Sequence, residues 1–353
     1  MDLVTKEKMY LSDAAIIRII LVVLLVLYHA FAPFSGAWSP IEGYEEVAAY
    51  WWLDKLSYAF MLETFVFVSG YVFGYQVRMK GEIKLNGKQL FSNKLKRLML
   101  PSIIFSILYI VIYQDITQPI AQTFYDSVNG VAHMWFLPML FCCFAVVWLV
   151  EKLHLPSKPT LLTLMVVSLL PIPELPLQLH HTFYYLPFFY VGYLLQRKNV
   201  SLESINTSVA TLISVVAFAL LFPSLTLLRE NAGHLIGVGQ NHIVTLILTT
   251  IVSRLCQLVY STTGLVMLLS IVGLVLKQRS NTLPNWIIQI GNLCMGIYIL
   301  QQFILKAFYY YTGFSGLVNE YLFPWIGFFM ALTLSVILSW MLRRVKIGRL
   351  LIG

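Results

Sequence analysis

Of the chain's 353 residues, 59% are hydrophobic and only 11% are charged. Soluble domains carry roughly a quarter charged residues, so this composition excludes a set of soluble domains. The net charge of +8 does not point to nucleic acid either, because the basic residues sit in short stretches between apolar runs, as they do in membrane proteins. The expected architecture is all-α: a polytopic transmembrane helical bundle of about ten spans, forming a single domain over residues 1–353.

A spanning helix needs about 20 mostly apolar residues. The sequence predicts spans at 14–33, 56–77, 98–114, 133–150, 160–173, 183–196, 205–228, 243–276, 286–311 and 322–342. Lys6 and Lys8, followed by an apolar run that reaches Ala30-Phe31-Ala32, imitate a cleavable secretory signal. The run from Ala14 to Phe31 is longer than usual for such a signal and ends in Tyr28-His29, so an uncleaved first span is expected. The fifth and sixth spans are short and lie among Pro171, Pro173, Pro176 and Pro187; they are expected to be tilted, broken or re-entrant. The eighth is long enough to be one tilted helix or two.

The basic residues set the topology. With the N-terminus inside, 19 of the 24 Lys and Arg residues fall in inside segments, around Arg78–Lys84, Lys94–Arg97, Arg197-Lys198, Lys277–Arg279 and Arg343–Arg349 among others. Outside loops hold Lys55 and Arg229 and are otherwise acidic, with Glu42, Glu45, Glu46, Asp54 and Asp115. This asymmetry predicts both termini in the cytoplasm. Cys142, Cys143, Cys256 and Cys294 all lie in apolar segments with no metal or disulfide spacing, and they read as small buried residues. His180-His181 reads as a solvated pair, and no metal site is expected.

Ionisable residues inside spans are costly and call for a reason. Arg18, His29, Glu63, Arg254 and Lys306 are such residues. Arg18 and His29 are eleven positions apart, which on a helix is ~16.5 Å along the axis and only about 20° around it. They share a face. An inward arginine can grip a phosphate, and a neutral imidazole deeper along the same face can take a proton from a hydroxyl. The plainer alternative is a snorkelling arginine and a packed histidine. Glu63 either orients His29, as an acid orients a catalytic imidazole, or pairs with Arg254. Ser69-Gly70-Tyr71 suits close helix packing or substrate contact. Lys94, Lys96 and Arg97 satisfy the charge bias of inside loops and would also suit a phosphate site. His133 and Trp135 open the fourth span at the level where an outside acceptor would arrive.

Together these segments resemble the acyltransferase-3 family of membrane acyltransferases, which O-acylate bacterial carbohydrates. Arg18-x10-His29 is similar to its first-helix motif and Phe65-Val66-Phe67-Val68-Ser69-Gly70-Tyr71 to its second. Lys94-x2-Arg97 with Leu98 to Pro101 resembles its basic entrance to the third helix, and His133 to Pro138 its His-x-Trp-Phe-Leu segment. Leu186 to Tyr193, Ile290-Gly291-Asn292 and Gly296-Ile297-Tyr298-Ile299-Leu300 match later signatures. The likeness runs from about residue 10 to 342. Three positions depart from the pattern. Glu63 stands where an apolar residue or proline is usual, so a catalytic role for Glu63 rests on its place inside a span and not on the resemblance. The acid upstream of the arginine is Asp13, five residues away rather than about three, and Gln301-Gln302 stands where a histidine is common.

The resemblance implies an enzyme of the plasma (inner) membrane that takes an acyl group, in the simplest case acetyl, from cytoplasmic acetyl-CoA to a hydroxyl of a cell-surface or exported carbohydrate. Arg18, Lys94, Lys96 and Arg97 would hold the donor; His29 would be catalytic, with Glu63 added on its place inside a span; Ser69, Tyr71, His133 and Trp135 would meet the acceptor. Membrane lipid and a second copy of the chain are the further partners to expect, and nucleic acid is not. A secondary transporter of a small solute, which also uses broken helices and buried charges, is the alternative from another class.

Overall fold

A computed structural model describes residues 3–81, 85–114, 118–200, 205, 207–237, 242–278, 284–314 and 316–352. Lys84, Asp115 and Arg279, which contribute to the topology argument, lie outside the described residues. The described fold is all-α. In chain order the helices are α1 (Leu3–Phe31), α2 (Ala48–Tyr58), α3 (Met61–Lys80), α4 (Gly87–Lys94), α5 (Leu100–Tyr113), α6 (Ile120–Asn129), α7 (Phe136–Lys152), α8 (Ser157–Leu169), α9 (Leu179–Arg197), α10 (Ser208–Ile236), α11 (His242–Gln278), α12 (Asn285–Tyr311), α13 (Phe323–Leu342) and α14 (Lys346–Ile352).

Each of the ten predicted spans coincides with a helix. Among the described residues, eight stretches are long and apolar enough to cross a membrane: Ser12–Phe34, Ala48–Lys80, Gly87–Tyr113, Ala132–Lys152, Ser208–Ile236, Ile243–Gln278, Asn285–Tyr311 and Phe323–Leu342. The two that fall short are the fifth and sixth: α8 falls short in length, whereas α9 has 19 residues, runs unbroken through Pro187 and falls short in apolarity. α8 has 13 residues, about 20 Å at 1.5 Å per residue, against a hydrocarbon core of about 30 Å. The eighth span is a single helix of 37 residues.

Four helices lie outside the predicted spans or extend them: α2, α4, α6 and α14. α2 corrects the reading of Asp54 and Lys55 as loop residues, since both are helical and Asp54 is buried. Arg229 is likewise helical, because α10 continues to Ile236. Between α4 and α5 the chain makes a π-helical turn, Leu95–Met99. Pro101 explains it. A proline ring clashes with the carbonyl four residues back, here that of Arg97, and one wide turn relieves the clash.

The chain divides into two compact units, each built from three separate stretches. The first comprises residues 1–17, 62–93 and 139–282. Within it α3 and α9 pack backbone to backbone. A Cβ on Gly70 would stand 2.0 Å from the Phe189 carbonyl oxygen, and one on Gly192 would stand 2.2 Å from that of Phe67. α10 and α11 form a long antiparallel hairpin whose start is capped by Thr207, the hydroxyl accepting from the Ala210 amide. The second unit comprises residues 18–61, 94–138 and 283–353. In it α12 packs along α13, and α14 folds back against α12 and against the Leu95–Met99 turn.

Candidate active site

The second unit brings His29 and His133 together. α1 ends at Phe31, and a 3-10 turn, Ala32–Phe34, follows. The chain then reverses at Gly36, whose φ of +79° a side chain would strain. The reversal lets the Trp38 amide donate back to the Ala32 carbonyl at 3.0 Å and lays the indole on the His29 imidazole, with centroids 5.5 Å apart and planes 29° apart. α12 secures this end of α1: the Tyr309 hydroxyl donates to the Ala30 carbonyl at 2.8 Å, and that of Tyr310 to the Ser39 carbonyl at 2.6 Å.

His133 arrives on the 3-10 turn Ala132–Trp135. Gly130 makes that turn possible. Its φ is +83°, and a Cβ there would lie 2.7 Å from the backbone of Met134 and Trp135. From α5, the Ser106 hydroxyl accepts from the Val131 amide at 3.0 Å and that of Ser102 donates to the Met134 carbonyl at 3.3 Å. From α12, three residues within little more than one turn hold the histidine itself. The Tyr298 hydroxyl donates to its backbone carbonyl. Gln302 Oε1 accepts from its backbone amide at 3.3 Å, and the Ile299 carbonyl accepts from its Nε2 at 3.0 Å. A carbonyl can only accept, so the neutral His133 ring carries its hydrogen on Nε2. Its Nδ1 is then a lone pair, and it is buried without a hydrogen-bond partner. The His29 and His133 rings meet edge to face with centroids 6.0 Å apart.

His29 is 6% exposed, and its Nδ1 receives the side-chain amide of Gln301 at 2.8 Å. The hydrogen bond to that ring nitrogen comes from Gln301. Glu63 has its own partners in the first unit: fully buried, its Oε1 accepts from Tyr184 at 3.2 Å and from Gln257 at 2.9 Å. The alternative ion pair with Arg254 does not form either. That guanidinium donates to the carbonyls of Ser168 and Leu170, at 2.9 and 2.6 Å, and lies over the Tyr184 ring.

Arg18 faces the Cys294 thiol of α12. Cys294 and Gln301 are seven positions apart, two turns on one face of α12. The Arg18 and His29 ends of one α1 face are therefore matched to one face of α12. At the Arg18 end, Gly296 of α12 sits against Ser339 and Ile352, the latter on α14, and α14 rests on the π-helical turn. Lys96 and Arg97 are exposed on that turn, with Lys94 half-buried at its start. α14 adds Lys346 and Arg349, both exposed.

The other expected site residues fall as follows. Trp135 is half-buried against the Phe136 ring. The Ser69 hydroxyl donates to its own helix, to the Phe65 carbonyl at 2.9 Å, and Tyr71 is buried on Phe67; both flank Gly70 in the α3–α9 packing. His180 Nδ1 accepts from the Leu175 amide and His181 Nδ1 bonds Gln178. All four cysteines are free and buried. Four residues at the site were given no role by the sequence. Gln301 and Gln302 stood out only as a departure from the family pattern, and Trp38 not at all. The fourth is Asp54, buried on α2 within reach of the Tyr28 hydroxyl and Ser35. Two adjacent amides inside an apolar helix were the available signal.

Comparison with known protein families matches residues 13–344 to the family described as "Acyltransferase domain", the acyltransferase-3 family. The chain belongs to this family. The match covers nearly the whole chain, all but α14 of the site segments just described, and it makes the protein a multi-pass membrane member of an acyltransferase family. No curated protein and no solved structure matches the chain.

Proposed function

We propose that the protein transfers an acyl group, most simply acetyl, from cytoplasmic acyl-CoA to a hydroxyl of a cell-surface or exported carbohydrate, working in the inner (plasma) membrane. The observation that carries this reading is the shared face of α1 and α12, with a half-buried cation at one end and a buried imidazole, beside a second one, at the other. Donor phosphates would meet Arg18 and the basic turn of Lys94, Lys96 and Arg97, to which α14 contributes Lys346 and Arg349. A guanidinium grips phosphate in two-point fashion where an ammonium acts as a point charge. The thin pantetheine arm is long enough to run the ~16.5 Å from Arg18 toward His29.

At the far end the acceptor hydroxyl would lie between the two histidines, near Trp38 and Trp135. His29 takes the hydroxyl proton as the oxygen attacks the thioester carbonyl. The new C–O bond forms, the C–S bond breaks, and the proton passes on to the leaving CoA thiolate. His133 Nδ1, an acceptor with no protein partner, is suited to a second hydroxyl of the sugar. The experiment is mass spectrometry of surface glycans from cells carrying the wild-type chain or His29→Ala at equal membrane level. The expected result is an ester with the mass of one acetyl group that is lost in the variant. A product at normal yield in His29→Ala sinks the reading.

A further inference from the structure

Gln301 lies midway along α12 and has no exposed surface (0%). Its amide nitrogen donates to His29 Nδ1 at 2.8 Å and reaches the Tyr298 carbonyl at 3.5 Å, while its Oε1 is buried without a partner. An acceptor left unpaired in a dry site is destabilising, and an apolar residue of the same length would avoid that cost. A donor at Nδ1 requires a lone pair there, which puts the hydrogen of a neutral imidazole on Nε2. In that tautomer Nε2 donates a hydrogen bond and cannot take a proton. The last torsion of a glutamine side chain is soft and roughly two-fold. Half a turn brings Oε1 against the same ring nitrogen. The hydrogen then sits on Nδ1, and Nε2 presents the lone pair that a general base needs.

We infer that Gln301 is the positioning residue that selects the tautomer of His29. With its nitrogen toward the ring the site is closed to proton uptake; with its oxygen toward the ring Nε2 is armed. The inference rests on His29 as the base. In the armed form the hydroxyl proton moves to Nε2 as the C–O bond forms and the C–S bond breaks. The imidazolium keeps its Nδ1–H on Oε1 and returns the other proton to the CoA thiolate. Passage between the two forms takes up one proton at one nitrogen and releases one from the other, with water as carrier, so the net charge is unchanged. An amide serves both forms without adding a charge; a carboxylate would be left ionised and unpaired each time the ring became neutral. The titratable groups facing the ring are His133 from its turn and Tyr28 from α1, with the Lys306 ammonium on the Trp38 indole. Among the described residues the bond to Nδ1 is that of Gln301.

The test compares Gln301→Met, Gln301→Glu and His29→Ala as full chains in membranes, with acetyl-CoA as the probe and release of the CoA thiol as the readout. Loss of the base function of His29 is expected to lower kcat in Gln301→Met by about 30-fold or more, while KM for acetyl-CoA stays within about twofold. Gln301→Glu keeps an acceptor for Nδ1–H and should retain kcat within about fivefold. If Gln301 only packs, the order reverses. Methionine, apolar and of equal length, would preserve kcat, and a buried glutamate would lose it. That order overturns the inference. Where one variant does not accumulate, the kcat of the other decides. If neither accumulates, Gln301 belongs to the fold and the inference falls. Activity in His29→Ala overturns the base assignment itself, whereas full kcat in Gln301→Met beside an inactive His29→Ala overturns tautomer selection alone.

Discussion

The Tyr298 hydroxyl donates to the backbone carbonyl of His133, and this bond ties the central helix of the site to the turn that carries its second histidine. Both residues are buried. Tyr298→Phe keeps the ring and removes the donor; the His133 carbonyl keeps the Phe136 amide, so the loss is that of one hydrogen bond, about 0.5–1.5 kcal/mol. The expected outcome is a lower thermal midpoint for the detergent-solubilised protein and a fall in turnover larger than the fall in accumulated protein. An unchanged midpoint with unchanged turnover would mean that the Gln302 and Ile299 bonds alone hold the turn.

Arg18 and His29 should separate kinetically. Arg18 is far from the reacting atoms in the proposed reaction, so its loss should weaken donor binding before it slows chemistry. Arg18→Lys keeps the charge but not the planar fork, and KM for acyl-CoA should rise by about tenfold with kcat little changed. Lys96→Gln with Arg97→Gln, on an exposed turn, should raise KM less, and added salt should shrink the difference because exposed charges are screened. A kcat defect in Arg18→Lys at unchanged KM would move Arg18 out of the donor site and into the chemistry.

What could be read from the sequence follows from the kind of signal each feature leaves. Long apolar runs announced the membrane helices, and an arginine and a histidine eleven apart in such a run announced the shared face of α1. The partner of that face left no such mark. Gln301 is uncharged, and its importance lies in a contact with a residue 272 positions away. Asp54 in Ala48–Tyr58 looked like loop because it and Lys55 put two adjacent charges into the segment, and only its packing beside Tyr28 and Ser35 makes it a buried acid. Glu63 stood out as an intramembrane charge, but composition does not say which partner such a charge finds. It finds Tyr184 and Gln257.

The small-residue motif of α3 is open to a direct test of packing. A Cβ on Gly70 would be 2.0 Å from the Phe189 carbonyl oxygen, while one on Gly233 of α10 meets nothing within 4 Å. Gly70→Ala must push α3 and α9 apart and should abolish accumulation of folded protein. Gly233→Ala, helical and in open space, should instead raise the thermal midpoint, since alanine is favoured over glycine in a helix by about 0.5–1 kcal/mol. Equal accumulation of the two variants would contradict the close α3–α9 approach.

Glu63 separates a fold-holding acid from a reacting one. Its Oε1 is the acceptor for two buried donors, and its Oε2 has no hydrogen-bond partner. Glu63→Leu takes the acceptor from both donors. With each unsatisfied group costing about 1–3 kcal/mol, a variant this destabilised should be largely lost from the membrane. Glu63→Gln keeps one carbonyl oxygen for Tyr184 and Gln257 and removes only the capacity to hold a charge or shuttle a proton. It should accumulate normally and keep turnover within about threefold of wild type, whereas loss of a group that transfers protons in the reaction costs about 10²–10⁴-fold. The measurement is CoA release by membranes matched for protein level. A loss of the larger size in Glu63→Gln, with a wild-type thermal midpoint, would return Glu63 to the chemistry and require a proton path from it to the acyl-transfer step.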